Sequence, residues 1–297
     1  DWYHITLHHL VAICRDVSSK YTRSKVRKSL PQDFSYIIQE LLHERTEDTD
    51  KTAYVNVIID TIISTGRADD FIIAISNVIQ RLTIDQLHIL GDIYDRGPGA
   101  HKIIDLLDNY HRWDITWGNH DILWMGAAAG NDACMCSVIR LSLRYGNLST
   151  LDLVPLATFS MDRYSDDPCT EFVPKISGGS EQMDEKTRQL TARMHKAIAV
   201  LQFKVEAQLY EQHPEWGMQN RALFNYIDYE KGTLSINGVE YSMSSCCFPT
   251  IDPKEPNKLT DEEVELLAKL HHSFEVSEKL HKHIRTLLAH GGMYCIC

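Results

Sequence analysis

The sequence contains no run of about 18 apolar residues, which predicts no membrane-spanning helix. Its first residues, "DWYHITLHHL", show no basic segment followed by an apolar one, so no signal peptide is expected there. Positive charge is in short supply: 30 Lys and Arg stand against 41 Asp and Glu, a formal net charge of −11. An acidic surface is repelled by phosphate backbones and anionic lipid, which argues against nucleic-acid and membrane partners. It favours the collection of divalent cations. Internal repeats and low-complexity tracts are absent. Cys-x-x-Cys spacing is absent too. Of the eight cysteines, six form two C-x-C pairs (Cys134 and Cys136, Cys295 and Cys297) and one adjacent pair (Cys246 and Cys247), and Cys14 and Cys169 stand alone. That pattern does not suit a structural zinc site and reads as free thiols of a reducing cytoplasm.

What is present is apolar residues enough for a sizeable core, 43% of 297. That length predicts one large domain or two ordinary ones. Three segments follow from the texture: a helical stretch over 1–84, an α/β stretch over 85–150, and a mostly helical continuation with one hairpin over 151–297. In the first, "ITLHHLVAICRDV", "LPQDFSYIIQELLHE", "AYVNVIIDTIISTG" and "ADDFIIAISNVIQRL" carry apolar residues at helical spacing. Pro31 stands near a helix start and Gly66 is a predicted C′ residue. In the second, "DQLHIL" and "WDITW" suit buried strands, with "AHKIIDLLDNYH" as the connecting helix. The order strand, turn, helix, strand, turn, helix runs from 86 to 129. In the third, "DDPCTEFVPKISGGS" is loop-like and residues 185–213 form a long helix. "TLSINGVEYS" is a hairpin with a type I′ turn at Asn237-Gly238. One further helix opens on a capping box, Thr260 to Glu263, and closes at Gly291.

The chemistry concentrates in "GDIYDRGPG", residues 91–99, and "WGNHD", residues 117–121, each behind a short apolar run. Functional groups of open α/β sheets gather at the C-terminal ends of strands. Asp92 is expected at such an end, where a buried carboxylate needs a partner or a cation. Asp95 and Arg96 follow it, and Asn119 and His120 come from the next strand end. A carboxylate, an amide oxygen and an imidazole suit a divalent metal, and a guanidinium suits phosphate. Either motif alone reads as a solvated turn. The two together, one helix apart, point to a site.

"GDIYDRGP" followed by "GNHD" resembles the second and third signature motifs of the calcineurin-like metallophosphoesterases. "YTRSKVRKSLP", "WGNHDILWMGAA", "DDPC", "FPTIDP" and "SEKLHKHIR" are similar to the class 3 fructose-1,6-bisphosphatases of bacteria, over nearly the whole chain. The resemblance implies an α/β fold with a layered sheet core and large helical insertions. It implies hydrolysis of fructose 1,6-bisphosphate to fructose 6-phosphate and phosphate in gluconeogenesis, by two-metal activation of water with Mn²⁺ as the usual ion. Asp92 and Asn119 would then be metal ligands, with Arg96 binding phosphate. His120 would be the general acid, oriented by Asp95. A sugar phosphate would be the partner and the cytoplasm the location, and a homo-oligomer is compatible with this. A D-x-H motif and further metal-binding histidines belong to that pattern and are not found here, so the chain reads as an internal portion of a longer protein. "NLSTLDLVPLATF" also lacks Gly-rich residues that relatives carry. Two other readings stand beside this one. The first is a protein Ser/Thr phosphatase or nucleotide-polyphosphate hydrolase, which usually carries Glu at the position of Asp121. The second is an inactive fragment or binding module. His290 in "LAHGG" reads as a cation at a helix end before a metal ligand. Lys20, Arg23, Lys25, Arg27 and Lys28 read as a solvated connection. His8, His9, His271, His272, His281 and His283 read as surface or satisfied helical residues.

Overall fold

The computed structural model describes residues 2–43, 49–147, 151–175 and 183–292. Cys295, Cys297 and parts of "NLSTLDLVPLATF" and "DDPCTEFVPKISGGS" lie outside them. Helices dominate, with one small parallel sheet and one antiparallel sheet, an α/β architecture. The chain divides into two compact units: residues 1–88 with 111–114, and residues 89–110 with 115–297. Among the described residues no helix is long and apolar enough to cross a membrane.

The first unit is helical. It comprises α1 (Trp2–Ser18), α2 (Arg23–Ser29), α3 (Ser35–His43), α4 (Thr49–Ser64) and α5 (Ala68–Thr83). Each long helix places an i, i+4, i+7 stripe into one core, for example Leu7, Val11 and Cys14 from α1 and Phe71, Ile75 and Val78 from α5. A short 3₁₀ turn, Gln32–Phe34, separates Pro31 from α3. Helix α4 ends in a Schellman motif. Gly66 (φ +71°) donates to Ile63 O and Arg67 to Ile62 O, at 3.0 and 3.1 Å.

The α/β stretch follows the expected order: β1 (Leu87–Ile89), α6 (Ala100–Asp108), β2 (Trp113–Thr116) and α7 (Asn119–Ala128). The first strand is not the buried one the apolar run predicts. Leu87 and Ile89 are half-buried and Leu90 is 82% exposed, because among the described residues β1 lies at the edge of the order β1-β2-β6. Trp113 and Ile115 of the central β2 are buried.

In the second unit α10 (Glu185–Gln212) is the long central helix, packed by α8 (Asp132–Tyr145) and α9 (Val154–Arg163). Three short strands, β3 (Ile227–Asp228), β4 (Thr233–Ile236) and β5 (Val239–Ser242), pair antiparallel in that order. Asn237 and Gly238, at φ +51° and +77°, make the I′ turn. The last predicted helix is two helices, α11 (Asp261–Glu275) and α12 (Glu278–His290). The capping box Thr260–Glu263 opens α11, but Ser277 accepts the Leu280 N–H and starts α12 afresh. Gly291 does close α12 as its C-cap, but not as a left-handed glycine. It is extended (φ −130°) and begins β6 (Gly291–Gly292), parallel to β2 with Ile115 opposite Gly291 and Thr116 opposite Gly292. A Cβ there would lie 2.1 Å from the Trp117 indole nitrogen, so glycine is required for room and not for φ.

Candidate active site

The loop after β1 and the loop after β2 are tied together by one side chain. Asp121, in the first turn of α7, is wholly buried. Its Oδ2 accepts the backbone N–H of Asp92 at 2.7 Å and of Gly118 at 3.0 Å, and its Oδ1 accepts that of Tyr94 at 3.3 Å. A buried carboxylate is tolerated when several N–H donors replace its water shell. The expectation of a buried Asp92 is thereby corrected: Asp92 is exposed, and Asp121 is the carboxylate the fold encloses. Asp92 takes φ +54°, a left-handed conformation unusual for a residue with a Cβ. Holding such a residue costs on the order of 1–3 kcal/mol, which the three Asp121 bonds oppose. Gly118 lies so close that a Cβ would fall 2.1 Å from Asp92 Oδ1.

Within this clasp four of the expected residues converge. The His120 N–H donates to Asp92 Oδ1 at 3.1 Å. His120 Nε2 lies 3.0 Å from Asp95 Oδ1, and Arg96 Nε lies 3.2 Å from Asp95 Oδ2. One carboxylate therefore bridges an imidazole and a guanidinium. The Arg96 guanidinium also sits 5.1 Å above the Tyr145 ring. Asn119 opens α7 between Gly118 and His120 and is exposed. A cavity of about 240 Å³ begins at Asp95, Arg96 and His120 and extends over Tyr94, Trp124 and Phe274.

Asp92 and Asn119 are oxygen donors suited to a hard divalent cation. They are two, and among the described residues no group of three or more His, Cys, Asp or Glu side chains is placed to hold a metal. His290 ends α12 and precedes β6; the register sets it toward the start of β2, with Asn119 beyond that strand's end. The basic run belongs to the first unit, where Lys25 pairs with Asp85 at 2.6 Å. His283 is buried and bonded to Asp105 at 2.9 Å.

The clasp Asp121 is what the sequence reading overlooks. Its signal was local: an acid three residues after the Gly118 N-cap, the spacing at which a side chain reaches back to helix-end N–H groups. What the fold and site define is an α/β protein with a polar site at adjacent strand ends, built from carboxylate, imidazole and guanidinium. Residues 1–297 match the family model for the Firmicute fructose-1,6-bisphosphatase, and the chain belongs to that family. It is 62% identical over 302 residues to a protein of Bacteroides thetaiotaomicron named fructose-1,6-bisphosphatase class 3, covering 100% of this chain and 46% of that protein. Proteins of the same name from Clostridium novyi and Porphyromonas gingivalis are 54% and 52% identical, covering 100% and 99% of this chain and 45% and 46% of theirs. The chain thus spans about half the length of these relatives. No solved structure matches it.

Proposed function

We propose that this chain carries part of the active site of a metal-dependent phosphatase that hydrolyses fructose 1,6-bisphosphate to fructose 6-phosphate and phosphate. The observation that carries the reading is the array His120–Asp95–Arg96 beside Asp92 at the ends of β1 and β2. The relatives' names supply the substrate. The core of the site is assigned to residues 85–150 and to a calcineurin-like metallophosphoesterase arrangement. Asp92 and Asn119 would hold divalent ions, Mn²⁺ by family resemblance and two in a complete site, with further ligands from beyond the described residues. Bound metal supplies Lewis-acid charge at the phosphate. Free thiols at Cys14, Cys134, Cys136, Cys169, Cys246 and Cys247 suit a cytoplasmic enzyme.

The chain's own residues do the rest. Arg96 offers a fork of N–H donors to the phosphate oxygens, where charge builds in the transition state. Asp95 holds His120 through Nε2, leaving Nδ1 to give a proton to the departing sugar oxygen. In the full-length protein, His120→Ala should lower kcat on fructose 1,6-bisphosphate by about 10²–10⁴. The loss should be much smaller on an aryl phosphate, whose leaving oxygen needs little protonation. Equal losses on both substrates would make His120 a structural residue and sink this assignment.

A further inference from the structure

We propose that Tyr145, at the C-terminal end of α8, is a positioning residue for phosphate capture: its ring holds the Arg96 guanidinium while leaving the terminal nitrogens open to phosphate. This rests on the functional reading above, in which Arg96 binds phosphate, and adds the group that fixes Arg96.

Arg96 needs such a group. Its side chain is 66% exposed and has one ion pair among the described residues, Nε to Asp95 Oδ2 at 3.2 Å. An exposed pair of this kind holds a long side chain weakly, because water screens the attraction and several rotatable bonds lose their freedom. Asp95 is also shared, its other oxygen lying 3.0 Å from His120 Nε2. A guanidinium that binds phosphate through a fork of N–H donors works only when its plane is set correctly. Among the described residues no hydrogen bond or ion pair engages its two terminal nitrogens, so both are left for an incoming anion.

Tyr145 supplies the missing restraint. The Arg96 guanidinium carbon lies over its ring, 5.1 Å from the centre, inside the roughly 6 Å reach of a cation–π contact. A flat guanidinium against an aromatic face is restrained without spending any N–H. The Arg144 guanidinium stands at 6.0 Å, the limit of that reach, so Arg96 is the closer cation. The ring itself is anchored. Tyr145 is the last residue of α8, whose Met135, Val138, Ile139 and Leu143 are buried. The helix ends in a Schellman motif: Gly146, left-handed at φ +73°, donates to Leu143 O at 3.3 Å, and the Asn147 N–H donates to Ser142 O at 2.9 Å. The Asn147 side-chain amide then donates to Gly97 O at 3.4 Å, one residue beyond Arg96. The end of α8 thus meets this loop twice, at the Arg96 side chain and at the Gly97 backbone. Tyr145 does not line the cavity onto which Arg96 and His120 open, so it acts through Arg96 and not on substrate.

A double-mutant cycle in the full-length holoenzyme tests this. Tyr145→Leu and Tyr145→Phe are each made with Arg96 present and with Arg96→Ala. The readouts are kcat/KM on p-nitrophenyl phosphate and calorimetric affinity for inorganic phosphate, which needs no turnover. With Arg96 present, Tyr145→Leu should lower both by about two- to fivefold, the scale of an exposed cation–π contact. Tyr145→Phe keeps the ring and should match wild type. Arg96→Ala should itself cost about tenfold or more, and Tyr145→Leu added to it should cost nothing further. Equal losses from Tyr145→Leu in both backgrounds, losses as large with phenylalanine, or no loss at all would each overturn the inference and leave Arg96 as a phosphate ligand. Arg96→Ala with wild-type turnover and phosphate affinity would instead overturn the functional reading of Arg96, and this inference with it.

Discussion

Asp121 touches no substrate in this scheme, yet the geometry of every proposed catalytic group depends on it. Its two oxygens accept three backbone N–H groups from two separate loops. Asn has the same shape but only one acceptor oxygen, and its amide hydrogens would face N–H donors. Asp121→Asn should therefore destabilise the second unit by about 1–3 kcal/mol, the cost of buried groups left unsatisfied. Denaturant unfolding of the full-length protein would read this. Activity should fall further than stability accounts for, because Asp92 would be released from φ +54°. A variant with wild-type stability and turnover would show that the loops need no clasp. At this scale much was legible. Asp92, Asp95, Arg96, Asn119 and His120 stand out by type and spacing, and four of them meet by direct contact. Asp121 was hidden because its role is burial, and burial depends on what packs over a residue.

Helix α10 shows the same principle across an element. Two lysines on it are buried, Lys196 and Lys204. Lys196 pairs with buried Asp167 and reaches Ser245 Oγ at 3.3 Å. Lys204 pairs with Glu263 at 2.7 Å and donates to Thr250 O at 2.6 Å, and Glu263 in turn closes the capping box of α11. Each lysine thus pins other segments to the central helix. Lys204→Met would leave the Glu263 carboxylate buried without its cation, which costs about 3–5 kcal/mol. Adding Glu263→Gln should recover part of that loss in the same denaturant assay. No recovery would mean that the pair is not coupled. His195 on the same helix gives a pH signature. Burial lowers its pKa, against the opposing effect of its bond to Phe172 O at 2.8 Å. The unfolded chain then takes up the proton first, so the stabilising contribution is complete above about pH 6.5 and fades as pH falls below it. Wild-type protein should lose stability on acidification faster than His195→Gln, and parallel curves would refute this. The hairpin turn and the α11 box were readable from short spacings. The break at Val276–Ser277 was marked by a serine cap inside an apolar periodicity that outweighed it. Helix α8 carried its own signals, Asn131 at the N-cap and left-handed Gly146 at the end, and went unread.

Over the whole molecule, the buried apolar core of the first unit is drawn, among the described residues, from residues 7–82. A unit with a separate core can unfold separately. Calorimetry on these 297 residues should show two transitions, and a single one with equal calorimetric and van't Hoff enthalpies would refute it. The sequence by itself determined α1, α3, α4 and α5 in residues 1–84, though not α2, whose basic residues read as a solvated connection; it also determined the strand–helix order of 86–129, the left-handed turns at Gly66 and Asn237-Gly238, and the residue types of the site. Those features rest on contacts between residues a few positions apart, which spacing and turn chemistry report directly. Only the tertiary structure decided that β1 lies at the edge of the sheet among the described residues and that Gly291 and Gly292 pair with β2. It also decided that Gly291 must make room for Trp117, and that Asp121 rather than Asp92 is enclosed. Each of those depends on segments far apart in the chain arriving side by side, and no local pattern encodes which segment will arrive.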